Sequence, residues 1–280
     1  MDAFVFAAVL FAAACHAGWN AAVKKGDPLG TTVAISIGAA LIALPLLPFA
    51  GLPAAAAWPW VLASVLIHLF YFAGLIESYG AGDMSQVYPI ARGSAPLLTA
   101  LGSALLIDER IAPMAWAGVL LLVSGVILMS LRGGRDVVRL DRRAVGFALF
   151  TAVTICAYSL VDGIGARLSD NALAYSLALF IGIGPVMVAY ALFRGGAGMV
   201  ATLRPLGATG LAGGALQLGS YGIAIWAMTV APIAVVAALR ETSVLFGALI
   251  AVVVLREPLS AVRVAAACAI VIGLVLIRLS

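Results

Sequence analysis

The sequence predicts an all-α integral membrane protein whose ten transmembrane helices form two inverted five-helix repeats around a central cavity. Three observations predict this fold: the apolar composition, the spacing of the apolar stretches and an internal repeat. Of the 280 residues, 64% are hydrophobic and only 10% are charged, and the mean hydropathy is +1.17. A soluble domain carries about 25% charged residues. Because water could not solvate the surface of such a chain, lipid must surround most of it.

Ten apolar stretches, each close to the length of about 20 residues that crosses a bilayer, follow one another along the chain. Turn residues separate them, as at Gly51–Pro53 and Ser169–Asn171. The first stretch starts directly after Met1-Asp2 without a basic segment, so we interpret it as a retained helix. The predicted helices are 3–24, 30–50, 58–80, 84–106, 113–131, 144–167, 172–193, 206–229, 233–255 and 260–279.

The basic residues predict the orientation of the helices. Eleven of them follow odd-numbered helices: Lys24, Lys25, Arg132, Arg135, Arg139, Arg142, Arg143, Arg194, Arg204, Arg256 and Arg263. Only three, Arg110, Arg167 and Arg278, lie on the opposite side. Basic loops face the cytoplasm, so both termini are predicted outside it. The net charge of +4 therefore reflects topology and predicts no nucleic-acid partner.

A gapless shift of 148 residues aligns Arg92 with Arg240 and Glu109 with Glu257. We therefore divide the chain into a first repeat, 1–132, a basic cytoplasmic linker, 133–143, and a second repeat, 144–280. Because each repeat holds five helices, an odd number, the second enters the membrane upside down. Inverted repeats of this kind usually place a binding site near the midplane, between the two halves.

Four charged residues, Arg92, Asp162, Arg240 and Glu241, lie well inside predicted helices. Each costs roughly 2.5–3.5 kcal/mol at the centre of a membrane helix, so each must face a partner or a wet cavity. One interpretation is that they form structural ion pairs that join the repeats. The other is that they line a solute cavity, together with polar and aromatic residues that recur at helical spacing.

The predicted cavity residues share a polar or aromatic side chain on the inner face of a helix. They are His16, Trp19, Asn20, His68, Tyr71, Tyr79, Tyr88, Arg92, Tyr158, Asp162, Gln217, Tyr221, Arg240 and Glu241. Pro89 and Pro96 flank Arg92 and predict a kinked helix beside the cavity. Such walls suit a small amphipathic solute, and their aromatic faces could also attract a cation. Some of these aromatic residues could instead belong to the interfacial belt.

Other chemistry is not indicated. The cysteines Cys15, Cys156 and Cys268 lie in apolar stretches, and the two histidines are far apart in the chain. Neither a zinc-binding HExxH sequence nor a glycine-rich phosphate loop occurs. We therefore predict no metal and no cofactor. A nucleophile–base constellation is also missing from the sequence, so an enzyme is not predicted.

Two segments resemble a known family. Val87–Leu98, followed by Asp108–Arg110, resembles the fourth-helix motif of EamA-domain transporters, which belong to the drug/metabolite transporter (DMT) superfamily. Ala238–Ser243, followed by Leu255–Pro258, resembles the corresponding segment of the second EamA repeat. Gly18–Asn20 resembles the first-helix pattern. The resemblance extends over essentially the whole chain.

This resemblance implies a ten-helix basket in the bacterial inner membrane, with a small-molecule substrate and no need for more than a monomer. It is closest to the amino-acid exporter branch, and within that to the aromatic type. We expect export of amino acids or related metabolites by alternating access; the alternative is a multidrug exporter of organic cations. Asp162 has no counterpart in the family motifs, and it or Glu241 could couple protons to transport unless the protein catalyses facilitated diffusion.

Overall fold

The computed structural model describes residues 1–81, 84–130, 142–196, 198–253 and 260–280. Within these ranges the chain is helical and contains no strand. Most of the predicted linker, 133–143, lies outside the described residues. The main helices are α1 (Ala3–Lys25), α2 (Pro28–Ala50), α3 (Trp58–Ala81), α4 (Met84–Leu106), α5 (Pro113–Ser130), α6 (Arg142–Leu168), α7 (Ala172–Gly195), α8 (Gly207–Val230), α9a (Ile233–Arg240), α9b (Ser243–Val253) and α10 (Ala261–Leu279).

Local side-chain chemistry explains where several helices begin. The Asp27 carboxylate accepts a hydrogen bond from the Gly30 amide at 2.6 Å, at the start of α2. The side chain of Asn171 accepts one from the Ala174 amide at 3.0 Å, at the start of α7. Such caps satisfy amide groups that have no partner within the helix. Nine of the ten predicted helices are found, and where the described residues continue past a helix end, that end lies within about two residues of the prediction.

The ninth predicted helix is the exception, because a continuous helix over 233–255 is wrong. The chain turns at Glu241 and Thr242, which separate α9a from α9b. The Thr242 amide donates to the Leu239 carbonyl at 3.1 Å, three residues back. The Thr242 hydroxyl donates to the same carbonyl at 2.7 Å, so the side chain competes with the regular helical bonds. A further short helix, Met199–Leu203, precedes α8.

Six helices are long and apolar enough to cross a membrane by length and composition: α1, α2, α3, α6, α7 and α10. The α5 helix contributes a shorter apolar stretch, Pro113–Met129. The chain is thus a multi-pass membrane protein, while the full count of ten membrane crossings stays a prediction.

The helices of the two halves are interleaved. α1 packs on α8 and α3 packs on α6, while α2 packs on α7 and α5 packs on α10. α4 packs on α6, and both parts of α9 pack on α1. The same set of pairs results when each helix is replaced by the one five places away in the order α1 to α10. For example, α1 with α8 becomes α6 with α3. The centre of the molecule is therefore bounded by helices from both halves.

Glycine allows two helix pairs to approach closely, α5 with α10 and α2 with α8. A Cβ atom added to Gly118 of α5 would lie 2.8 Å from the carbonyl oxygen of Gly273 in α10. A Cβ atom added to Gly273 would lie 2.7 Å from the carbonyl oxygen of Gly118. On the other side, Gly38 of α2 meets the backbone of Gly210 in α8. Small residues permit such backbone contact between helices in lipid.

Candidate functional site

A small cavity lies where helices of both halves meet, with about 330 Å³ of empty space, its open mouth included. α1 and α3 of the first half and α6, α7, α8 and α9a of the second half contribute its lining. The walls are mainly aromatic, with a few polar groups. The lining residues are His16, Trp19, His68, Tyr71, Phe72, Tyr158, Phe180, Gln217, Ser220, Tyr221 and Arg240.

Ring contacts hold the aromatic walls in place. His68 stacks on Tyr158 with ring centres 4.4 Å apart and an angle of 23° between the planes. Tyr158 meets Tyr221 edge-on at 5.5 Å, and His16 meets Trp19 edge-on at 5.0 Å. Edge-to-face and offset-stacked pairs are the favoured arrangements of aromatic rings. The cavity is thus shaped by rings contributed by α1, α3, α6 and α8.

Arg240 brings the positive charge of the cavity. Its guanidinium carbon lies 4.7 Å from the centre of the Tyr221 ring, a cation–π contact. Among the residues that the structure describes, Arg240 forms no ion pair. Its charge is therefore held by aromatic rings and not by a carboxylate in contact.

Three polar atoms of the cavity walls are buried without a hydrogen-bond partner in the described parts of the chain: Gln217 Oε1, Ser220 Oγ and Arg240 Nε. Their residues are 5%, 1% and 6% exposed, respectively. Gln217 and Ser220 are three residues apart on α8, so they lie on one face of the helix. Buried polar groups are normally paired, so these three atoms mark the polar part of the cavity.

Asp162 lies behind the wall and does not line the cavity. It is fully buried on α6, and the Tyr175 hydroxyl donates to Oδ1 at 2.9 Å. The Tyr221 hydroxyl donates to Oδ2. Tyr221 therefore presents its ring to the cavity and its hydroxyl to the buried acid.

Arg92 and Glu241 form an ion pair between the halves. Arg92 Nε lies 2.9 Å from Glu241 Oε2, and the two side chains are 6% and 4% exposed. Arg92 Nη2 also donates to the Ser243 hydroxyl at 3.1 Å. These contacts join α4 to the turn between α9a and α9b. For this pair the structure agrees with the interpretation of buried charges that join the repeats.

A second contact between the halves involves Glu109, in the segment after α4. Arg167 at the end of α6 donates to Glu109 Oε1 at 2.8 Å. The Ile233 amide, at the start of α9a, donates to Glu109 Oε2 at 2.8 Å. Arg167 Nε also donates to the Met228 carbonyl in α8 at 2.9 Å. Glu109 is part of the repeat alignment and of the family motif, but its partners are too distant in sequence to be inferred from either.

The cavity contains eight of the fourteen residues predicted for it: His16, Trp19, His68, Tyr71, Tyr158, Gln217, Tyr221 and Arg240. Arg92, Asp162 and Glu241 are buried outside its lining. Asn20 is half-buried, and its side-chain amide donates to the His16 carbonyl of its own helix at 2.8 Å.

The remaining predictions concern α3 and α4. The side chains of Tyr79, Tyr88 and Pro89 lie outside those that the structure describes. Pro96 is buried in α4, which continues through it as a helix. The kink predicted there stays a prediction.

Three lining residues were not among the predicted cavity residues. Phe72 and Ser220 stand at helical spacing beside predicted residues, so the spacing signal was available for both. Phe180 lies in the apolar α7, where nothing in the sequence distinguishes it from residues that face lipid.

Comparison with known proteins addresses the fold and the family. Among 27 matching chains of known structure, one described only as the crystal structure of a protein has a TM-score of 0.73. It is 18% identical, and the alignment covers 99% of this chain and 96% of the other. At this identity the likeness shows a shared fold. No curated protein matches the chain. Residues 1–131, which hold α1 to α5, match the model of the EamA-like transporter family.

Proposed function

We propose that this protein is a DMT-type membrane transporter that exports amino acids or related small metabolites by alternating access. The observation that carries the proposal is the aromatic and polar cavity between the two halves of a chain whose first 131 residues match a transporter family. Polar groups inside a membrane are costly and usually mark a pathway for a solute or ion. A cavity of this composition suits a solute with both apolar and polar parts.

The exchange pattern of the helix contacts supports alternating access. α1 with α8 corresponds to α6 with α3, and α4 with α6 corresponds to α9 with α1. Two halves with matching contacts, inverted with respect to each other, would give two conformations of similar energy that open to opposite sides. In this proposal both termini lie outside the cytoplasm, the membrane is the bacterial inner membrane, and a monomer is sufficient.

A multidrug exporter of organic cations is the second candidate, favoured by the aromatic rings of the cavity. Such a solute would need a carboxylate that it can reach. Among the described residues, Asp162 is surrounded by hydroxyl donors and Glu241 is paired with Arg92. Neither lines the cavity, so the first candidate agrees better with the charge distribution.

Transport by the purified protein in liposomes tests the proposal. The vesicles are loaded with one radiolabelled amino acid at a time, and efflux is followed with and without a pH gradient. We expect saturable efflux that other amino acids inhibit, and a response to the gradient would indicate proton coupling. Movement of an organic cation without movement of any amino acid would contradict the proposal and favour the second candidate.

A further inference from the structure

The polar part of the cavity has a chemistry that narrows the class of solute. Building on the transporter proposed above, we propose that Arg240, Ser220 and Gln217 form a subsite for a carboxylate with a neighbouring hydrogen-bond donor. In this arrangement the carboxylate binds at Arg240, the donor binds at Gln217 and the apolar body of the solute packs among the aromatic rings. Organic cations are rejected at the same site.

The charges of the interior support an anionic subsite. Arg240 is the single residue with a permanent charge among the lining residues that the structure describes. The other buried charges are engaged elsewhere, because Arg92 contacts Glu241 and Asp162 accepts hydrogen bonds from tyrosine hydroxyls. Among the side chains that the structure describes, a solute in the cavity therefore meets one guanidinium and no carboxylate. Charge attraction favours an anion there and disfavours a second cation.

The unpartnered polar atoms match the hydrogen bonds of such a solute. Arg240 Nε–H is a donor, and the Ser220 hydroxyl can also donate, so together they offer two hydrogen bonds to a carboxylate. Gln217 Oε1 is an acceptor and requires a donor from the solute, such as an ammonium or hydroxyl group. Because all three atoms are buried, leaving them unpaired is unfavourable. A solute with a carboxylate and an adjacent donor satisfies all three.

The chemistry of the aromatic walls suits the remainder of the solute. Trp19, Tyr71, Phe72 and Phe180 line the cavity and provide apolar surface for an aliphatic or aromatic side chain. The Tyr221 ring is already in contact with the Arg240 guanidinium at 4.7 Å. The face of that ring is therefore occupied by the Arg240 guanidinium, and a cationic solute beside it would be repelled.

Three solutes that share a phenyl group test the subsite with the wild-type protein: phenylalanine, phenethylamine and 3-phenylpropionate. The amine lacks the carboxylate and the propionate lacks the amino donor. We expect phenylalanine to bind most tightly, the propionate to bind more weakly, and the amine to bind at least about tenfold more weakly than phenylalanine. Binding to detergent-purified protein is measured by calorimetry, and transport is measured separately in liposomes.

Separate readouts distinguish this proposal from the function on which it rests. Equal or tighter binding of phenethylamine than of phenylalanine would overturn the subsite, whether or not amino acids are transported. Failure of both carboxylates to bind would overturn it as well. Binding in the expected order without any transport would support the subsite and contradict the transporter function.

Substitutions locate the subsite on named residues. Arg240→Gln should weaken phenylalanine binding by about tenfold or more and remove the preference over phenethylamine, whereas Arg240→Lys should keep part of that preference because the charge remains. Gln217→Leu should weaken phenylalanine binding and leave 3-phenylpropionate binding unchanged. The matched control is Arg194→Gln, since Arg194 lies at the end of α7, outside the cavity lining, paired with Glu77. A carboxylate preference that persists in a folded Arg240→Gln protein would overturn the assignment.

Discussion

Arg92 and Arg240 align at a shift of 148 residues in the sequence, yet their surroundings differ. Both are buried to the same degree, with 5% and 6% of their surface exposed. Arg92 is fixed by the carboxylate of Glu241 and the hydroxyl of Ser243. Arg240 lines the cavity and rests on the ring of Tyr221, and its Nε has no hydrogen-bond partner among the described residues. Arg92 thus joins helices, whereas we propose that Arg240 binds a solute.

The difference has its origin in the residues that follow each arginine. The shift of 148 residues that aligns the two arginines sets Glu241 against Gly93 and Ser243 against Ala95. The segment after Arg240 therefore supplies an acid and a hydroxyl to Arg92, whereas the aligned positions after Arg92 hold only glycine and alanine. Of two arginines that align in the sequence, one is thus paired with a carboxylate and the other, among the described residues, is not. The cavity charge at Arg240 follows from that asymmetry.

The largest expected effect is the loss of stability when the ion pair of Arg92 is removed. Arg92→Gln leaves Glu241 buried without its counter-charge, and we expect a loss of about 3 kcal/mol or more. Arg240→Gln removes no ion pair, so its loss should be clearly smaller. Thermal unfolding in detergent, monitored by size-exclusion chromatography, measures the stability of both variants.

A double variant checks the cause of that loss. Glu241→Gln introduced into Arg92→Gln should recover part of the stability, because the uncompensated charge is removed. An Arg92→Gln protein as stable as Arg240→Gln would show that the ion pair is not what distinguishes the two positions.

A smaller effect is expected from Tyr221→Phe, which keeps the ring beside Arg240 and removes the hydroxyl that contacts Asp162. Leaving that buried carboxylate with one donor fewer should cost about 1–3 kcal/mol. Tyr175→Phe is a matched variant, since Tyr175 also donates to Asp162, at 2.9 Å, and does not line the cavity. We expect similar melting temperatures for the two variants and an unchanged carboxylate preference in both. Loss of that preference in Tyr221→Phe alone would assign the hydroxyl a role in binding.

The smallest effects concern the peripheral ion pairs. Glu109→Gln removes a carboxylate whose side chain is 10% exposed and which accepts hydrogen bonds from Arg167 and the Ile233 amide. We expect a loss of about 1–2 kcal/mol. Glu77→Gln breaks a pair whose side chains are 43% and 29% exposed, and its effect should be within about 1 kcal/mol. Equal melting temperatures for the two variants would indicate that Glu109 contributes no more than a surface charge.

Most helix ends follow from turn residues and from the length needed to cross a bilayer, and the sequence carries both signals. The turn at Glu241 and Thr242 carries neither, because the stretch contains no glycine or proline. It coincides with the contact to Arg92, about 150 residues away in the chain. An interaction across that distance depends on which helices pack against each other, and this packing cannot be read from a single sequence.

The cavity shows the same limit. Helical spacing predicted most of the lining residues of α1, α3 and α8, since polar side chains on one face of an apolar helix stand out. Spacing does not indicate whether a buried charge meets another side chain or a cavity. Glu241 and Arg240 are neighbours in sequence, yet the first pairs with Arg92 and the second faces the cavity. That distinction depends on how α4 and α9 pack.

The reciprocal glycine contact of α5 and α10 limits how these helices can move. Gly118 and Gly273 each meet the carbonyl oxygen of the other, with no room for a methyl group between them. A slide of one helical turn, about 5.4 Å, would bring a branched side chain such as Ile270 or Ile277 to the position now held by Gly273. The backbones would then have to separate. We therefore expect α5 and α10 to move as a single rigid unit. A rearrangement around the cavity must then take place in the other helices.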